Sequence, residues 1–113
     1  MKALMTIDIA HPPRAGADAE TMLDEALIKI RLSSTLRVLK IIHGYGSHGS
    51  GGTLKTVVKN WIHTNKHKII LSIDGEHLSP SNANVQVLLA ECDFSTNTEF
   101  LSPNEGITIV WIT

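Results

Sequence analysis

Apolar and polar positions alternate from Leu4 to Ile9. Met5, Ile7 and Ile9 fall on one side and Thr6 and Asp8 on the other, the period-two pattern of a strand. His11-Pro12-Pro13 ends it, because proline cannot extend a hydrogen-bonded ladder and restricts the residue before it. The period then changes. Ala19, Met22, Leu23, Ala26, Leu27 and Ile30 recur at helical spacing and form one apolar stripe. Asp18 is the expected N-cap, Glu20 suits the first turn, and Lys29 and Arg31 suit the last. Leu36 to His43 is almost continuously apolar, as in an inner strand covered on at least part of both faces. A glycine-rich loop, Gly44 to Gly52, leads into a second predicted helix carrying Leu54, Val57, Val58, Trp61 and Ile62 on one side. Ile69 to Ile73 reads as a third strand, closed by Asp74-Gly75. Ser79-Pro80 has the form of a cap followed by proline in the first turn of a short helix. Val85, Leu88, Leu89 and Cys92 give that helix its apolar side. A polar loop over residues 93–105 precedes the last strand, Ile107 to Ile112, with Ile107, Ile109 and Trp111 on one face.

Strands alternating with helices predict an α/β fold with a parallel or mixed sheet, covered by helices on at least one face. The chain of 113 residues fits a single domain, residues 1–113, in which 75–105 is an extended connection with a short helix. Its composition, 42% hydrophobic and 19% charged, excludes a disordered tail, a collagen-like chain and a coiled-coil rod. No apolar run approaches the roughly 18 to 20 residues of a membrane span, and Thr6 and Asp8 interrupt any signal peptide. Cys92 is the only cysteine, so no intrachain disulfide forms and a reducing cytoplasm is expected. A small apolar filler is the expected role for it.

Net charge is −1, which hides an uneven distribution. Between Ala26 and Ile73 there is no Asp or Glu, and that window holds eight of the ten basic residues. The middle is therefore +8 and the flanks −9, the sign of a basic surface and an anionic partner unless the acidic flanks fold back over it.

Candidate chemistry gathers in the loop between the second strand and the second helix. Gly44, Gly46, Gly49, Gly51 and Gly52 lie within nine positions, and glycine lets backbone N–H groups approach a ligand closely. The helix that follows offers free N–H groups and a partial positive charge to an anion such as phosphate. Two nucleotide motifs fail here. Gly52 stands where a P-loop needs its lysine, and the acidic residue after Gly44-x-Gly46-x-x-Gly49 comes too late, at Asp74. Strand ends sharing one sheet edge would bring Asp8, His43 and His48 together. His43 would then serve as general acid or base, or only brace the loop. The loop amides from Gly46 to Gly52, through Ser47, His48 and Gly49, would hold a phosphate with Lys55, and Lys40 and Lys59 would add charge. Tyr45 is the aromatic placed to stack on a base. Asp8 would orient His43 or help to hold a Mg²⁺ or Mn²⁺ ion, and no Cys/His set has zinc spacing.

The segment LRVLKIIHGYGSHGSGGTLKTVVKNWI, residues 36–62, resembles the core motif of the Smr (small MutS-related) domain family. That motif is a strand ending in His-Gly-x-Gly, a small-residue loop, Leu-Lys, and a helix ending in a large apolar residue. Asn104 to Trp111 is similar to the family's closing glycine-plus-strand element. The resemblance implies a two-layer α/β sandwich: a βαβα core, a mixed four-stranded sheet, two main helices and a short extra helix before the last strand. It also implies nucleic acid, DNA or RNA, as partner, and nicking or RNA-cleaving endonuclease activity. By matching position, Asp8, His43 and the turn Gly44-Tyr45-Gly46 make the site. The family opens on Leu-Asp-Leu-His-Gly, whereas this chain reads Ile7-Asp8-Ile9-Ala10-His11-Pro12. One residue of shift turns a side chain to the opposite face of a strand, so His11 joins the site only where the strand bulges or ends before it. The altered motif leaves a second reading, a binding module without catalysis, and the +8 middle leaves a third, a small scaffold meeting an acidic protein.

Overall fold

The computed structural model describes residues 3–45, 50–92 and 98–113. Strands β1 (Ala3–Asp8), β2 (Leu36–Ile42), β3 (Ile69–Asp74) and β4 (Ile107–Ile112) form one sheet in the order β1-β2-β4-β3. β1 runs parallel to β2, and β4 runs antiparallel to both β2 and β3. The sheet is therefore mixed, and the carboxyl ends of β1, β2 and β3 meet the start of β4 along one edge. Asp8 pairs with Ile42, Ile42 with Ile107, and Asp74 with Thr108 along that edge.

Helices α1 (Gly16–Leu32) and α2 (Ser50–Thr64) cover one face of the sheet. The apolar stripes bury Leu23, Leu27, Ile30, Leu54, Val58 and Trp61 against Leu39, Ile41, Val110 and Ile112. The indole N–H of Trp61 donates to Asp24 Oδ1 at 2.8 Å, fixing the two helices to each other. Helix α3 (Ala83–Cys92) packs on the opposite face with Leu78 and Phe100, under Val38, Ile109 and Trp111. The connection 75–105 therefore has a structural task. It covers the second face, which the alternation of apolar residues in β4 leaves in need of cover. Cys92 is fully buried there as a small filler.

Two caps differ from the sequence expectation. α1 starts at Gly16 with Ala15 as N-cap and no side-chain cap, so Asp18 lies in the first turn, where the helix dipole still favours it. α3 is capped by Asn82 and not by Ser79. The Asn82 Oδ1 accepts N–H bonds from Asn84 at 2.8 Å and Val85 at 3.2 Å, while Ser79 accepts in the preceding turn. The glycine loop is also shorter than expected, because α2 already includes Gly51 and Gly52. Glycine costs least in a first turn, where few intrahelical bonds depend on it. Among the described residues no helix is long and apolar enough to cross a membrane.

Candidate functional site

β1 ends at Asp8 because that side chain turns the backbone. Its Oδ1 accepts the N–H of Ala10 at 2.8 Å and of His11 at 3.0 Å, an Asx turn that pulls the chain back on itself. The strand thus ends before His11, and the imidazole comes to the carboxylate, with His11 Nδ1 2.9 Å from Asp8 Oδ2. An ionised carboxylate only accepts, so Nδ1 carries the proton and donates it, and the Nε2 lone pair is left outward on a ring 70% exposed. Partial burial acts to raise the Asp8 pKa. The Ala10 N–H and the His11 ring outweigh it and hold the carboxyl below its ordinary value.

His43 is built differently. Residue alternation turns it to the α1/α2 face, whereas Asp8 and Lys40 project to the α3 face. It is completely buried, and both ring nitrogens are bonded. Nδ1 donates to the Gly44 carbonyl at 2.9 Å, which leaves Nε2 to accept the Thr108 hydroxyl, also at 2.9 Å. Burial pushes its pKa below the ordinary histidine value, and the nearby Lys55 charge adds to this against the raising contact with Gly44. The backbone N–H groups of His43 and Gly44 both donate to the Gly106 carbonyl, at 2.9 and 3.1 Å. Gly44 holds a φ of 82°, a left-handed conformation that favours glycine. The His-Gly pair thereby locks the end of β2 to the start of β4.

A cavity of about 190 Å³ opens on the α3 side of this edge. His11, Lys40 and Tyr45 line it with the apolar side chains of Ile42 and Ile107, and Asn104 completes the wall beside Gly44 and Gly106. Tyr45 is 69% exposed and its ring lies against Gly106, where a Cβ would be 3.5 Å from it. The structure thus brings together Asp8, His11, Lys40, Gly44 and Tyr45, and sets His43, Lys55 and Lys59 on the other side of the sheet. Gly46, Ser47, His48 and Gly49 lie outside the described residues.

The proposed phosphate-binding lysines all have carboxylate neighbours. Lys40 pairs with Glu99 at 2.6 Å, Lys55 with Glu76 at 2.9 Å, and Lys59 approaches Asp74 at 3.9 Å. The hydrogen bond from Lys55 holds the Glu76 carboxyl below its usual value. Sequence reasoning missed Thr108, Asn104 and these acidic partners: Thr108 and Glu99 lie 65 and 59 positions from the residues they meet, and Asn104 reaches the cavity only once β4 pairs with β2. A partial signal existed: every one of the three acids belongs to the acidic flanks. As for Mg²⁺ or Mn²⁺, the donor set does not fit. Asp8 already accepts from three N–H groups, and among the described residues no three His, Cys, Asp or Glu side chains converge.

A family model described as "Smr domain" matches residues 14–87, more than half of the chain. Among solved structures, the fold is similar to the Smr domain of Thermus thermophilus MutS2, with a TM-score of 0.57 and 17% identity. The match covers 100% of this chain and 99% of that one. At that identity the likeness concerns the fold alone. No curated protein sequence matches the chain. The family match begins after His11, so the roles of Asp8 and His11 rest on their geometry.

Proposed function

Given that the chain belongs to the Smr domain family, we propose that it binds nucleic acid and cleaves a phosphodiester bond at the edge where β1 and β2 end. The observation that carries this reading is the Asp8–His11 pair beside a cavity that Lys40 and Tyr45 share. Asp8 holds His11 in the tautomer whose Nε2 accepts a proton. Nε2 takes the proton of the attacking hydroxyl, the new P–O bond forms, the bond to the leaving oxygen breaks, and that oxygen is protonated from solvent. Lys40, which lines the same cavity, supplies positive charge to the phosphoryl oxygens in exchange for its pairing with Glu99. In this reading His43 fixes the backbone of Gly44 and moves no proton. No step depends on a metal ion. The lone thiol, buried at Cys92, supports a reducing, cytoplasmic setting.

Asp8→Asn tests this with little disturbance of the turn, because asparagine also forms Asx turns. Its amide NH₂ cannot accept from Nδ1–H, so the imidazole is no longer held with Nε2 free. Nicking of supercoiled plasmid or cleavage of a structured RNA is expected to fall at least about 100-fold, the low end for general acid–base catalysis. An unchanged rate in a folded Asp8→Asn protein contradicts the mechanism. Binding without cleavage by the wild type would leave a binding module.

A further inference from the structure

The cavity at the end of β2 has features that phosphate binding does not use. Its volume, about 190 Å³, is below the roughly 300 Å³ at which pockets begin to enclose whole drug-sized ligands. It suits one flat ring system with the attached sugar and phosphate left outside. Ile42 and Ile107 give it apolar walls, and the Tyr45 ring stands at one side. Gly106, having no side chain, leaves the space against which that ring rests.

One polar group is fixed in this setting. Asn104 Oδ1 accepts the Gly106 N–H at 3.0 Å, which decides which way round the amide sits. The two N–H donors of Nδ2 have no partner among the described residues, and Asn104 lines the cavity. A small cavity with two apolar side chains, an aromatic ring and an oriented donor in its wall offers the chemistry that recognises a nucleobase: stacking on one face and a hydrogen bond at the edge. A base within a duplex has both faces stacked and its pairing edge occupied, so it cannot enter.

Building on the nucleic-acid reading above, we propose that this cavity takes one unpaired nucleobase, stacked on Tyr45 and hydrogen-bonded by Asn104 Nδ2. The site is thereby directed to single-stranded, bulged or extruded nucleotides. His11 and Lys40 line the same cavity, so the backbone of the inserted nucleotide runs past the Asp8–His11 pair. Cleavage falls beside the unpaired position.

The test uses a short fluorescent single strand, an all-abasic strand of the same length and charge, and the blunt duplex. The intact strand should bind tighter than the abasic strand by about 5-fold to 150-fold, the range that base–aromatic stacking provides. Tyr45→Ala and Asn104→Asp should each narrow that gap, and the added carboxylate of Asn104→Asp should weaken the intact and abasic strands alike. Tyr45→Phe should preserve the gap, and because Tyr45 is exposed neither of its variants threatens the fold. Equal binding of intact and abasic strands by the wild type would overturn the base pocket and leave the nucleic-acid reading standing. Failure to bind any of the three would overturn that reading and the pocket with it.

Discussion

His11 and His43 are both bonded through Nδ1–H, yet only His11 keeps its second nitrogen for outside chemistry. The difference follows from burial: Thr108 fills the second nitrogen of the enclosed His43, whereas the His11 ring stands 70% exposed. An Asx turn at Asp8 ends the strand and brings His11 to the carboxylate. The sequence names both histidines as candidates and states the condition for His11, that the strand end before it. It cannot show that Thr108, 65 positions away, occupies the second nitrogen of His43. Burial of His43 has a measurable consequence. Its folded pKa lies below the 6.5 at which it protonates when unfolded, so below that pH the unfolded chain binds more protons. Stability should fall as pH drops through this value, by at most about 1.4 kcal/mol per pH unit, until the folded pKa is passed. Urea midpoints measured on either side of this window should show the decline in the wild type and a smaller one in His43→Gln. An equal decline in both would remove His43 as its source.

At the scale of elements, apolar periodicity located the four strands and three α-helices found among the described residues. It reads correctly because each face of the sheet demands a continuous apolar stripe, and α1 and α2 supply it with Leu23, Leu27, Val58 and Trp61. Helix starts were harder to read. Asn82, rather than Ser79, caps α3, and α2 begins inside the glycine run, because several residues of similar capping chemistry stand close together. The reach of the connection 75–105 was not legible either, as Phe100 and Leu78 find their core partners only once the sheet exists. Gly75 shows how tightly that connection is fastened. Its carbonyl accepts the Asn104 N–H at 2.8 Å, and a Cβ at Gly75 would overlap the carbonyl oxygens of Asn104 and Ile107. Gly75→Ala should lower stability by about 1–3 kcal/mol, as other overpacked sites do, read as a lower urea midpoint with an unchanged slope. A midpoint equal to that of the wild type would show that the turn yields freely.

Taken over the whole molecule, the charge separation along the chain becomes a set of contacts. The acidic flanks fold back on part of the +8 region, and Asp74, Glu76 and Glu99 sit beside Lys59, Lys55 and Lys40. Of these lysines only Lys59 is exposed, and Lys40 and Lys55 are half-buried; on the proposed reading the pairs bear on how a phosphate backbone meets them. The same folding divides the residues that sequence spacing grouped together. The sheet lies between the cavity with His11, Lys40 and Tyr45 and the buried pair of His43 and Thr108. The proposed chemistry therefore depends on which histidine moves the proton. Its most direct test is the rate of nucleic-acid cleavage by the wild type, His11→Ala and His43→Gln, purified identically and checked for folding by circular dichroism. His11→Ala should lose at least about 100-fold, and His43→Gln should stay within about tenfold of the wild type. Loss in His43→Gln with full activity in His11→Ala, or equal rates in all three, would contradict it.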